Sequence, residues 1–226
     1  LVANAPAAGD AVPTRDTLNV GLDNVSGGVG RDIIFGDHGE VTQLAGTARI
    51  LTTGSVIKLA AIGRTGANDV LAGDAEDDVI LGGLGSDVIN GGASNGILIG
   101  DNGIVTYASV GVLASIEGTD TSLGGDDTVL GTNGTDIIIG GFGADTLAGN
   151  DGANIVLGDN GLITYTGGIV SSIETTSEDL GGNDAVFTTG FRDLILGGAG
   201  GDKIDAGGGD NVVFGDGGRM VFDATG

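Results

Sequence analysis

An all-β parallel β-solenoid of stacked nonapeptide repeats is the fold this sequence predicts. Three observations predict it. Glycine supplies 49 of 226 residues, with no three-residue collagen period, against an ordinary share of about 7%. A nine-residue phrase, G-G-x-G-x-D-x-U-x with U apolar, recurs along the chain. Position 8 of the phrase is apolar and mostly β-branched, as a strand prefers.

The clearest nonads are GGVGRDIIF (27–35), GGLGSDVIN (82–90), GGFGADTLA (140–148) and GGAGGDKID (197–205). Looser copies start at 18, 64, 73, 91, 122, 131, 149, 179, 188 and 206. A variant phrase recurs as FGDHGEV, IGDNGIV, LGDNGLI and FGDGGRM, starting nonads at Gly36, Gly100, Gly158 and Gly215. These mark a longer period and give units of about 18–63, 64–121, 122–178 and 179–226. Residues 1–17 hold both prolines and read as an extension or linker. Position-8 residues such as Ile34, Ile80, Val129, Ile138, Val156 and Ile195 are expected to point inward. One nonad cannot bury its own apolar side, so stability must come from neighbouring coils.

This nonad resembles the repeats-in-toxin (RTX) calcium-binding β-roll family, over roughly residues 18 to 223. The resemblance implies a right-handed parallel β-roll of six-residue turns and three-residue strands, with two nonads per coil, so that each nonad is a half-coil. It also implies a module exported from a bacterial cell, extracellular or at the cell surface, that folds when it meets external Ca²⁺.

Composition narrows the function. The formal net charge is −23. Nucleic acid is not an expected partner, because phosphate contacts need Lys and Arg. No apolar run approaches the roughly 20 residues of a membrane span, so membrane insertion is not expected. Cysteine is absent, which removes disulfides and thiolate metal sites. The chain starts at Leu1 without a basic start or an apolar core, so we expect a processed product or a piece of a longer chain. There is one histidine, His38, and neither HExxH nor GxSxG occurs, so no enzyme is expected.

Position 6 carries Asp23, Asp32, Asp69, Asp78, Asp87, Asp127, Asp136, Asp145, Asp184, Asp193 and Asp202, with Asn154 and Asn211 in the same register. If a coil is two nonads, residues 18 apart stack. Asp69 then faces Asp87, Asp127 faces Asp145, and Asp184 faces Asp202. On the other edge Asp136 faces Asn154, Asp193 faces Asn211, and Asp78 faces Gly96. Carboxylates one strand spacing apart, about 4.8 Å, repel without a cation. Ca²⁺ accepts six to eight oxygens, which suits it better than octahedral Mg²⁺. By resemblance, the glycine turns add carbonyls. Several Ca²⁺ ions are therefore expected, with Asn154 and Asn211 as softer ligands. The alternative is that Asp only caps its turn.

The variant nonads put an apolar residue at position 6 and move the acid to position 2, as Asp37, Asp101, Asp159 and Asp216. These complete a last calcium shell or shape the turn, and the Asp ladder is expected to end there. His38 is read as a bystander. Inserts without a nonad follow at 45–63, 109–121 and 167–178. Five nonads plus an insert nearly equal six half-coils. Each insert is thus expected to form one calcium-free half-coil, giving three coils per unit, with an external hairpin flap as the alternative. TYA of 106–108 then falls on the first sheet.

The second sheet receives IIF, VIL, ILI, III, IVL, LIL and VVF, apolar on both faces. Such strands are buried on both sides. A flap, a second roll or another copy must cover them. We expect an association face of Phe35, Val79, Leu81, Ile97, Ile99, Ile137, Ile139, Ile155, Leu157, Leu194, Leu196, Val212 and Phe214, and self-association either laterally or head to tail. The function expected is a structural module of an adhesin, surface layer, sheath or extracellular filament. The alternatives are a non-catalytic roll attached to a secreted enzyme or toxin, and a ligand-binding solenoid face.

Overall fold

The computed structural model describes residues 21–44 and 56–223. The proposed extension at 1–17 and part of the first insert lie outside the described residues. All regular structure among them is strand, in three seven-stranded sheets.

The first sheet stacks β1 (Asn24–Ser26), β5 (Val70–Ala72), β7 (Val88–Asn90), β11 (Thr128–Leu130), β13 (Thr146–Asn150), β17 (Ala185–Thr188) and β19 (Lys203–Asp205). The second stacks β2 (Ile33–Phe35), β6 (Asp78–Leu81), β8 (Gly96–Ile99), β12 (Ile137–Gly141), β14 (Ile155–Asp159), β18 (Leu194–Leu196) and β20 (Val212–Phe214). Both are wholly parallel. Leu71 pairs with Ile89 and Ile80 with Leu98, the 18-residue step expected of one coil. The position-8 residues of both sheets, among them Ile34, Leu71, Ile80, Ile89, Val129 and Ile138, form the inner core.

The inserts correct the expectation. They do not make half-coils. The variant nonad leaves the roll and pairs with its insert as an antiparallel hairpin: β3 (Gly39–Gln43) with β4 (Val56–Ala61), β9 (Gly103–Ser109) with β10 (Val112–Gly118), and β15 (Gly161–Thr166) with β16 (Ile169–Thr175). With β21 (Arg219–Val221) they join edge to edge into the third sheet. TYA therefore sits in β9, not in the first sheet. A full unit is two coils and a hairpin, not three coils.

The physical reason is periodicity. Val41, Leu59, Val105, Ile116, Ile163, Ile173 and Met220 form one cross-strand row. Thr106, Ser115, Glu117, Thr164 and Glu174 alternate with them. Alternation marks a half-buried antiparallel strand rather than a turn. Gly167 and Gly168, both at positive φ, close the β15–β16 hairpin in two residues.

The apolar row packs on the outer face of the second sheet. Phe35, Leu81, Ile99, Ile139, Ile155, Leu157 and Leu196 are buried in that second core, and Val79, Ile97, Ile137, Leu194 and Phe214 pack against it. Only Val212 of the expected association face reaches 36% exposure. The face is thus covered by the chain's own hairpins, because seven strands apolar on both sides need a partner layer and the inserts supply it. The molecule has three layers, with the second sheet in the middle.

Candidate metal centre

Each turn into the first sheet ends in an Asp, and these lie along one edge of the roll. Asp69 Oδ1 accepts the backbone N–H of Asp23, and Asp87 Oδ1 that of Asp69, each at 2.7 Å. The pattern continues from Asp87 to Asp127 at 2.7 Å, Asp127 to Asp145 and Asp145 to Asp184 at 2.8 Å, and Asp184 to Asp202 at 2.9 Å. The pairs expected at 18 residues are present. The ladder also crosses every hairpin, against the expectation that it ends at each unit. A hairpin returns the chain to the next rung, so its length does not matter.

The second edge is less uniform. Asp78 Oδ1 accepts from Asp32 at 2.8 Å, Asp136 Oδ1 from Gly96 at 2.6 Å, and Asp193 Oδ1 from Asn154 at 2.9 Å. Asn154 and Asn211 accept from Asp136 and Asp193 at 2.9 and 2.8 Å.

The other oxygen carries the chemistry. Oδ2 of Asp32, Asp69, Asp78, Asp87, Asp127, Asp145, Asp184, Asp193 and Asp202 is buried without a hydrogen-bond donor. Buried polar atoms are rarely left so. Their neighbours are also acceptors. A Cβ at Gly82 would collide with Asp87 Oδ2 and the Gly100 carbonyl oxygen. One at Gly140 would meet Asp145 Oδ2 and the Gly158 carbonyl oxygen, and one at Gly197 would meet Asp202 Oδ2 and the Gly215 carbonyl oxygen. Glycine is required at these three places because a carboxylate and a carbonyl from the next coil converge there. Oxygens facing oxygens need positive charge between them, and hard oxygen donors suit Ca²⁺.

The electrostatics agree. Burial pushes the Asp127 carboxyl up to about 10, with the charges of Asp101 and Asp145 adding to the rise. Asp184 is pushed up to about 8, and Asp87 and Asp145 to about 7, with burial the main cause in each. Without a cation these groups cannot comfortably ionise.

Asp101 and Asp159 turn out to tie units together. Asp101 accepts Gly125 N–H at 3.1 Å on one oxygen and Phe142 N–H at 2.5 Å on the other. Asp159 holds Gly182 N–H at 3.0 Å and Ala199 N–H at 2.5 Å in the same way. Asp37 accepts from Leu84 at 2.8 Å and keeps an unpartnered Oδ1. Asp216 is exposed. His38 contributes its carbonyl, which accepts from Ile62 at 3.0 Å. A carboxylate that accepts on both oxygens is built to be ionised, yet burial pushes Asp101 up to about 9. Asp101→Asn turns an NH₂ toward one of the two N–H groups. We expect it to cost about 1–3 kcal/mol in a calcium-loaded denaturant melt while leaving the number of bound ions unchanged. Loss of an ion would make Asp101 a ligand.

Thr132 was not singled out from sequence. Its N–H reaches Asp136 Oδ2 at 2.6 Å and its hydroxyl reaches both carboxylate oxygens at 3.1 and 3.2 Å. Threonine at position 2 of a nonad, four residues before the Asp, is the signal that could have found it.

No curated protein and no solved structure gave a match. The profile of the RTX calcium-binding nonapeptide repeat matches in four copies, at residues 17–40, 65–98, 130–161 and 187–219. Each copy lies over coils of the roll, and most of every hairpin falls between copies. The copies together span more than half the sequence and contain most of the orphaned carboxylates, and on that ground the chain belongs to the RTX calcium-binding nonapeptide-repeat family.

Proposed function

We propose that this chain is a calcium-dependent structural module of a secreted bacterial protein, serving an adhesin, surface layer, sheath or extracellular filament. The observation that carries this reading is the file of buried carboxylate oxygens without donors. Bound Ca²⁺ would neutralise them and join adjacent coils. Asp69, Asp87, Asp127, Asp145, Asp184 and Asp202 would hold it along the first edge, and Asp32, Asp78 and Asp193 along the second. The chain's own part is to place these oxygens, exclude water from them, and stack each turn on the next. Binding free energy then becomes folding free energy. Such a module suits a cell exterior, where Ca²⁺ is abundant and the metal-free chain can pass outward before it folds.

With the second sheet covered, the self-association we propose is end to end rather than lateral. Small-angle scattering with excess Ca²⁺ should give a rigid particle that lengthens with protein concentration at constant width. A chain still expanded in Ca²⁺ would overturn the structural-module reading. A particle whose length never changes with concentration would overturn the end-to-end part alone.

A further inference from the structure

Two turns on the second edge solve the oxygen problem differently. Asn154 Oδ1 accepts the N–H of Asp136 at 2.9 Å. That donor identifies which end of the amide is oxygen, so Nδ2 points back into its own turn. There it donates to the carbonyls of Gly149, Asp151 and Gly152 at 3.2, 3.3 and 3.2 Å. Asn211 repeats the arrangement, with Nδ2 donating to Ala206 at 2.7 Å and Gly208 at 3.2 Å.

These carbonyls belong to positions 1, 3 and 4 of the nonad. Aspartate in that place can offer them only a second acceptor. Asp193, on the rung between the two asparagines, shows the result, since its Oδ2 has no donor. An amide N–H group satisfies the same carbonyls with no ion. Asn154 and Asn211, expected as softer calcium ligands, each turn an NH₂ rather than a second oxygen toward the carbonyls of their own turns.

We infer that the Asn154 and Asn211 side-chain amides stand in for the cation, so that their turns close without metal. This rests on the calcium-binding reading of the Asp turns. The two edges then differ in kind. The first keeps six successive orphaned carboxylates, from Asp69 to Asp202. The second keeps orphaned carboxylates only at Asp32, Asp78 and Asp193 and closes the turns of Asn154 and Asn211 by their own amides.

Equilibrium dialysis of the full chain against Ca²⁺, with metal counted by atomic emission, tests this. Asn154→Asp is expected to bind one more ion per chain than the unaltered protein. Asn211→Asp, in a more exposed turn, should show the same gain and covers the case where Asn154→Asp fails to fold. Asp145→Asn should lose at least one. If the unaltered chain binds Ca²⁺ and neither Asn→Asp variant gains an ion, the inference is overturned. If the unaltered chain binds none, the calcium-binding reading falls first and takes this one with it.

Discussion

Chelation at pH 8 is expected to unfold the roll, and acidification of the metal-free chain to restore part of it. The direction follows from the buried aspartates. An unfolded Asp titrates near 3.9. In the folded, metal-free roll Asp78 is pushed up to about 6, Asp87 and Asp145 to about 7, and Asp184 to about 8, burial being the largest cause in each case. Between about pH 4 and these values the folded state binds more protons than the unfolded one. Its stability therefore falls as pH rises. The contribution is complete below about pH 4 and is lost progressively, up to about pH 8 for these four carboxyls and to about pH 10 once Asp101 and Asp127 are included. Calcium should reverse the trend, because it binds the ionised form and its binding releases protons. Circular dichroism in chelator from pH 4 to 8, repeated in Ca²⁺, reads the effect. A β-signal indifferent to chelation at pH 8, or one that strengthens with pH in chelator, would refute it.

The second large effect is expected in the outer core. Ile139 is fully buried between the second and third sheets. Truncation to Ala should cost about 2–5 kcal/mol, as large-to-small changes in cores do. Ile139→Lys should cost more, because an ammonium buried without a partner is far worse than a cavity. We expect that variant to lose its cooperative transition even in saturating Ca²⁺. Leu130→Lys, on the outer face of the first sheet at 39% exposure, should stay within about 0.5 kcal/mol of the parent. If Ile139→Lys melts like the parent, the hairpin sheet does not cover this face.

Much of the roll could be read from the residues. All seven strands of the second sheet were visible as apolar triplets, and the rung from Asp69 to Asp87 followed from the 18-residue coil. What the spacing hid was the fate of the inserts. Their lengths nearly match one half-coil, so arithmetic favoured another turn. The better guide was alternation. Ser115-Ile116-Glu117 and Ser172-Ile173-Glu174 each put one apolar residue between two polar ones, and Gly167-Gly168 is a hairpin turn. Continuous apolar strands likewise signalled a cover without saying whose. At the candidate metal sites, position 6 disclosed the acids but not the donors opposing them. Whether Thr132 donates to Asp136, or Asn154 to the carbonyls of its own turn, depends on three-dimensional direction that one letter per residue does not carry.

The indifference of the ladder to hairpin length has a consequence for scale. Neighbouring rungs are 18 residues apart within a unit but 46, 40 and 39 apart across hairpins, as Asn24 to Val70, Val88 to Thr128 and Thr146 to Ala185 show. In space each is one strand spacing, so a unit of two coils adds about 9.5 Å. The molecule is therefore a ruler graduated in rungs. Duplicating one unit would lengthen it by a fixed increment and leave the sites on either side in register, while loops of any size are accommodated at the side. Reach can be set by copy number and surface chemistry by the hairpins, each without retuning the other.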